Sequence, residues 1–123
     1  LPICYADSHE YARAEGESVR VGISAFAVDQ LGDIVFVELP EVGSSINQGA
    51  SFGSVESVKA VEELVAPISG VVEARNESVL ASPEELQGDP YGEGWLLLVK
   101  PADPAQLDAL MDATAYAAAV DGH

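Results

Sequence analysis

The chain has 123 residues, 48 % of them apolar, and five Lys and Arg stand against 21 Asp and Glu for a formal net charge of −16. Such an acidic surface repels nucleic acid and anionic lipid. No run approaches the roughly 20 apolar residues of a membrane span, and the single cysteine, Cys4, forbids an intrachain disulfide and suits a reducing compartment.

The length predicts one domain, residues 1–123, with a core of its own. The opening Leu1-Pro2-Ile3-Cys4 carries no basic stretch, so no signal or transit peptide is expected in it. Residues 9–14 are expected to form the first strand, and Glu15-Gly16-Glu17 a turn. Residues 18–23 alternate apolar with polar or small side chains, the pattern of a half-buried strand. Ser24 reads as the N-cap of a short helix over 25–31, which Gly32 ends. The nearly unbroken apolar run over 33–39, stopped by Pro40, predicts a strand buried on both faces. A turn at 41–43 and a short edge at 45–49 lead to two strand-like runs, 51–57 and 61–66, on either side of Val58-Lys59-Ala60.

Beyond Gly70 the pattern predicts strands at 71–76 and 78–80, then a helical turn over 82–86 with a Ser cap, Pro at the first position and acids behind it. A turn-rich loop over 88–94 precedes an apolar strand over 95–99. Asp103-Pro104 opens a helix that places Leu107, Leu110 and Met111 at i, i+3 and i+4. Asp112 caps a second helix over 113–120, with Tyr116 and Val120 on one face and Gly122 just past its end. Many short strands with Gly/Pro turns, plus marginal helices at one end, predict a small β-sandwich or flattened barrel.

Lys59 is one of only two lysines, the other being Lys100. A lone cation between two strand-like runs is a side chain carried at the tip of a β-hairpin. The tip lacks the Asn-Gly, Asp-Gly or Gly-X pair that two-residue hairpins use, and local rules are broken where function demands it. The plainer alternative is a solvated lysine paired with Glu56 or Glu62, an interaction worth little.

Glu56-Ser57-Val58-Lys59-Ala60, followed by Ala66-Pro67-Ile68-Ser69-Gly70, resembles the lipoyl attachment hairpin of the glycine cleavage system H-protein family. Ser8-His9-Glu10-Tyr11 resembles that family's opening, with Tyr11 where Trp is usual. Val21-Gly22-Ile23-Ser24, Leu31-Gly32-Asp33-Ile34-Val35-Phe36-Val37-Glu38-Leu39-Pro40 and Asp89-Pro90-Tyr91-Gly92-Glu93-Gly94-Trp95 extend the likeness over nearly the whole chain. Biotin-carrying modules flank their lysine with methionines, a pattern that Val58 and Ala60 do not match. The resemblance implies a mainly β fold, a flattened barrel-sandwich hybrid with a lipoyl-carrying hairpin, a short N-terminal helix and C-terminal helices.

It further implies lipoic acid in amide linkage to Lys59, with Glu56 and Gly70 read by the lipoate-attaching enzyme. The implied role is to carry an aminomethyl group from the pyridoxal-phosphate enzyme glycine decarboxylase to the tetrahydrofolate-using aminomethyltransferase, and electrons to dihydrolipoyl dehydrogenase. Ser8, Glu10 and Glu63 are the implied wall of a cleft that receives the arm, with Gln30 where some members carry His. The plain alternative for Ser8 and Glu10 is to tie down the first strand. The implied setting is bacterial cytoplasm or, for a mature chain, the mitochondrion, and a monomer is expected. The alternatives are an H-like lipoate donor or a lipoyl module of another complex.

No enzyme constellation emerges. The two histidines, His9 and His123, form no nucleophilic triad with a Ser or Cys and no zinc spacing. Gly92-Glu93-Gly94 lacks the third glycine and following helix of a dinucleotide fingerprint. Glu62 and Glu63 on a strand point to opposite faces, which argues against a paired acid and base there.

Overall fold

A computed structural model describes residues 3–6 and 8–121; Gly122 and His123 lie outside the described residues. Nine strands build two antiparallel sheets. The larger has the order β1-β2-β3-β9-β8-β5, where β1 is Ile3–Tyr5, β2 Glu10–Glu15, β3 Ser18–Ile23, β5 Ser45–Ile46, β8 Gly70–Arg75 and β9 Leu97–Pro101. The smaller has the order β4-β6-β7, where β4 is Ile34–Glu38, β6 Ser51–Ser57 and β7 Val61–Val65. The β6–β7 hairpin nests inside the β5–β8 pair, so the two glycines that bracket it, Gly49 and Gly70, sit where the chain changes sheet.

One contiguous core joins the sheets through Val21 and Val99 of the larger, Val37, Val55 and Leu64 of the smaller, and Val28 and Leu31 of helix α1 (Ala25–Leu31). Each such side chain, taken fully out of water, contributes about 1.5–3 kcal/mol. A second, aromatic cluster of Tyr5, Tyr11 and Tyr116 seats the C-terminal helix against β1 and β2. Tyr5 and Tyr116 stack at 4.2 Å between centroids, 5° apart in plane.

Helix α1 forms as its sequence predicts. Ser24 Oγ accepts from Ala27 N, and Gly32 ends the helix at φ 75°, ψ −142°, a backbone region that only glycine enters without strain.

The structure differs from the sequence reading at five places. Residues 33–39 form β4, but it is an edge strand whose Val35 and Phe36 are exposed, not a strand buried on both faces. Residues 78–80 are not a strand. They lie in helix α2 (Glu77–Ala81), because buried Asn76 caps it through Ser78 N while its amide donates to Glu93 O and Trp95 O. Ser82 closes α2, and the next short helix, α3 (Glu85–Gly88), has no side-chain cap. Gln87 of α3 ties this segment to β4, its Oε1 accepting from Ile34 N. After β9 the Asp103-Pro104 start gives a 3₁₀ turn, Pro104–Ala109, and helix α4 spans Ala113–Asp121 with Asp112 Oδ1 accepting from Ala115 N. Strand β1 has no counterpart in the sequence reading; it pairs with β2 and makes a bridge to Met111.

Candidate functional site

Lys59 is exposed at the end of the β6–β7 hairpin. Ser57 explains how a turn without glycine holds. Its hydroxyl accepts from the Lys59 and Ala60 N–H groups, both at 3.2 Å, and Ser57 N donates to Ala60 O at 2.8 Å. A side chain thus supplies the hydrogen bonds that a primed turn would draw from glycine geometry. Among the described residues, no residue of this turn has positive φ.

The tip is fixed from outside as well. Val58 N donates to Asp33 O at 3.0 Å, which fastens it to the turn between α1 and β4. The Lys59 side chain lies over Gly32, where an added Cβ would stand 3.5 Å from Cε and 3.8 Å from Nζ. Among the described residues the ammonium makes no ion pair, so the Glu56 or Glu62 partner of the plainer reading is absent from this arrangement.

Beside the lysine opens a cleft of about 440 Å³ between β7 and the α1 face. Ser8, Glu10, Gln30 and Glu63 all touch it, as do Lys59 and Ala60. The four candidate cleft residues and the candidate attachment lysine are therefore neighbours, although they come from three separate stretches of chain.

Their side chains differ in what they offer. Glu10 is 2 % exposed, with Oε1 accepting from Ser8 Oγ at 2.5 Å and Oε2 from Val65 N at 3.0 Å. It ties β2 to β7 and also lines the cleft. Glu63 is on the outer face of the small sheet, opposite Ser54 in register, and its carboxylate accepts from Ser51 Oγ at 2.5 Å. Glu62, opposite buried Val55 and two residues from buried Leu64, shares the inner face of the sheet, and it lines the cleft together with Glu63. Alternation along β7 indicates that face once Leu64 is known to be core.

Sequence reasoning also leaves His9 without a role. It lines the cleft in a left-handed conformation, φ 80°, which a non-glycine residue adopts only when its surroundings hold it. Its Nδ1 bonds Tyr116 Oη at 2.7 Å, and Tyr116 Oη also meets Ser24 Oγ at 2.7 Å. The C-terminal helix is thereby tied to the cleft wall and to the cap of α1. Burial pushes the Tyr116 phenol above its ordinary value, and the Ser24 bond opposes that shift in part. No signal in the sequence gives a positive φ at His9.

Glu56 is exposed between Phe36 of β4 and Val61 of β7. Gly70 is buried in the large sheet, where a Cβ would stand 2.3 Å from Lys100 O and 2.6 Å from Val99 Cγ1. Backbone approach of β9 alone thus accounts for glycine at that position.

The arrangement suits an apolar chain that ends in a polar group, carried on the lysine. Phe26, Leu31 and Leu64 line the cleft with carbon, and Ser8, Glu10 and Gln30 supply the polar wall. Among the described residues no group of three or more His, Cys, Asp or Glu could hold a metal ion, and no helix is long and apolar enough to cross a membrane.

Comparison with known proteins gives one consistent answer. The family model described as glycine cleavage H-protein matches residues 3–123. A glycine cleavage system H protein of Synechococcus sp. (strain CC9605) is 73 % identical over 117 residues, 95 % of this chain and 91 % of that protein. One of Prochlorococcus marinus (strain MIT 9313) is 73 % identical over 113 residues, 92 % of this chain and 86 % of that protein. The crystal structure of a glycine cleavage system H protein from Mycobacterium marinum superposes with a TM-score of 0.90 at 40 % identity, covering 98 % of this chain and 97 % of that one.

Proposed function

From a chain that belongs to the glycine cleavage H-protein family, we infer that Lys59 is the residue that carries the lipoyl group. The protein is a lipoyl carrier of the glycine cleavage system and not a catalyst. The observation that carries the Lys59 assignment is its position, exposed on an externally fastened hairpin tip at the mouth of a cleft.

When attached, the lipoyl group supplies a dithiolane that opens to accept a one-carbon amine fragment with two electrons. The chain's own residues supply position and shelter. Amide formation removes the positive charge of Lys59 and with it the reason for the side chain to stay in water. The carbon lining of the cleft then favours docking of the arm and excludes solvent from it. Glu10, held by Ser8 Oγ and Val65 N, offers a fixed carboxyl acceptor to an ammonium end, and Ser8 and Gln30 offer further polar contacts. Glu62 and Glu63, which both line the cleft, offer further carboxylates.

Glu56 acts as a recognition contact for the lipoate-attaching enzyme, while Gly70 serves the same end indirectly, by letting the sheet close. Membership of the glycine cleavage system implies partner enzymes of that system. The encounters are with glycine decarboxylase, aminomethyltransferase and dihydrolipoyl dehydrogenase, made by residues 1–123 as a single monomeric carrier domain; the main core, which joins both sheets, supports the single domain. The cyanobacterial relatives and the lone Cys4 support a bacterial cytoplasmic setting.

Incubation with lipoate ligase, ATP and lipoate, followed by intact-mass and peptide mapping, tests the assignment. A lipoyl increment confined to Lys59 and absent from Lys59→Arg is expected. Modification at Lys100, or none on folded protein, would overturn it.

A further inference from the structure

Six large apolar side chains are exposed among the described residues, and four of them, Val35, Phe36, Val58 and Val61, gather at the lysine end of the small sheet. Singly exposed valines need no explanation; a row in register does. Phe36 of β4 stands opposite Glu56 of β6, and Glu56 opposite Val61 of β7. The three side chains therefore cross the outer face of the sheet in one line, with Phe36 52 % and Val61 60 % exposed. Val35 is the extra residue of the β4 bulge, and Val58 flanks Lys59 itself. The next line away from the tip is Glu38, Ser54 and Glu63, so the apolar row has an acidic border. Among the residues of this face only Glu63, on the edge strand β7, reaches the cleft; Phe36, Glu56 and Val61 do not line it, and a docked arm leaves them open.

We propose that the Phe36–Glu56–Val61 row, with Val35 and Val58 at its ends, is the surface on which the lipoate-attaching enzyme docks. The inference rests on the Lys59 assignment. In the step concerned, neutral Lys59 Nζ attacks the activated carboxyl carbon of lipoate. The C–N bond forms, the bond to the nucleotide monophosphate left from ATP activation breaks, and a proton is released. An unmodified lysine has only four methylenes of reach, so an enzyme acting on its nitrogen must close onto the surface around it. Enzymes that act on the far end of an attached arm can stand off. Reach therefore singles out the attaching enzyme among the partners, and the acidic border calls for a matching face with an apolar centre and a basic rim.

The test follows lipoate incorporation by lipoate ligase at saturating ATP and lipoate, with the concentration of unmodified protein varied. Phe36→Ser and Val61→Ser are each expected to lower kcat/KM about tenfold, mainly through KM, as truncation of a side chain central to an interface does. Phe36→Leu, which keeps the carbon surface, should retain most of the rate. Val42→Ser and Val71→Ser, exposed apolar positions elsewhere, should stay within about twofold of the parent. Wild-type kinetics in folded Phe36→Ser and Val61→Ser would overturn the inference. So would normal lipoylation with a loss confined to glycine–CO2 exchange, which would assign the patch to glycine decarboxylase, or a change in sedimentation showing that the patch covers a second copy. Absence of any increment on the parent protein would instead sink the Lys59 assignment itself, and this inference with it.

Discussion

Gly70→Ala separates two accounts of one residue. If the attaching enzyme reads Gly70, the variant should fold and resist lipoylation. If Gly70 is a packing requirement, it should lose stability and still accept lipoate. The structure favours packing. The new Cβ would stand 2.3 Å from Lys100 O, 3.0 Å from Lys100 C and 2.6 Å from Val99 Cγ1. An ordinary carbon–oxygen contact needs about 3.3 Å, so roughly 1 Å must be found. Strand β8 cannot yield easily, because Gly70 is paired to Pro101 of β9 on one side and to Ile46 of β5 on the other. Overpacking of this kind costs about 1–3 kcal/mol, and the contact with backbone argues for the upper half of that range. For a chain of this size the fall in Tm is about 10 °C. Thermal unfolding by circular dichroism reads it, with lipoylation kinetics measured well below the transition. An unchanged Tm together with lost lipoylation would refute the packing account.

The other perturbations address the cleft wall and the aromatic cluster. Glu10→Ala leaves Val65 N–H without its buried acceptor and should lower stability by about 2 kcal/mol, with Glu10→Gln losing less; equal urea midpoints for the two would contradict this. Tyr116→Phe removes the hydroxyl shared by His9 and Ser24 and should cost about 1–2 kcal/mol. It should also speed amide exchange in α4 before the rest of the chain, whereas uniform exchange would place the hydroxyl outside the latch. Burial holds the Tyr5 and Tyr11 phenols well above their ordinary value, with the Tyr91 hydrogen bond adding to the shift of Tyr5 and nearby Arg20 opposing that of Tyr11. The folded state thus favours neutral phenols, so this stability is complete below about pH 10 and is lost as pH rises through the higher folded values. Phenolate absorbance should therefore rise together with loss of far-UV dichroism, and full ionisation of folded protein near pH 10 would count against it.

Legibility in the sequence follows how local each determinant is. Helix α1 and strands β3 and β6 are readable because cap, stop and alternation lie within the segment itself. The hairpin is readable from the two strand-like runs that flank Lys59, the cleft residues only through family resemblance. Val79-Leu80 misleads because two adjacent apolar residues have no period, while the cap that makes them helical depends on Asn76 reaching Glu93 and Trp95. The Ile34-Val35-Phe36-Val37 run misleads because a bulge and an edge position turn half of it outward. Glu62, which lines the cleft beside Glu63, goes unread because the face of β7 is set by Leu64, whose burial the sequence does not display.

With the lipoyl group on Lys59 as proposed, the bond from Val58 N to Asp33 O makes the base of that arm a fixed pivot. All swing must then arise in the lysine side chain and whatever it bears. The free end explores a bounded volume about that pivot, and the cleft occupies part of it, so its effective concentration at the cleft is that of a short tether. A partner that draws the arm out competes against this intramolecular equilibrium. Loosening the pivot, by replacing the Gly32-Asp33 turn for example, would dilute the free end over a larger volume. Shelter would weaken although no residue of the cleft had changed.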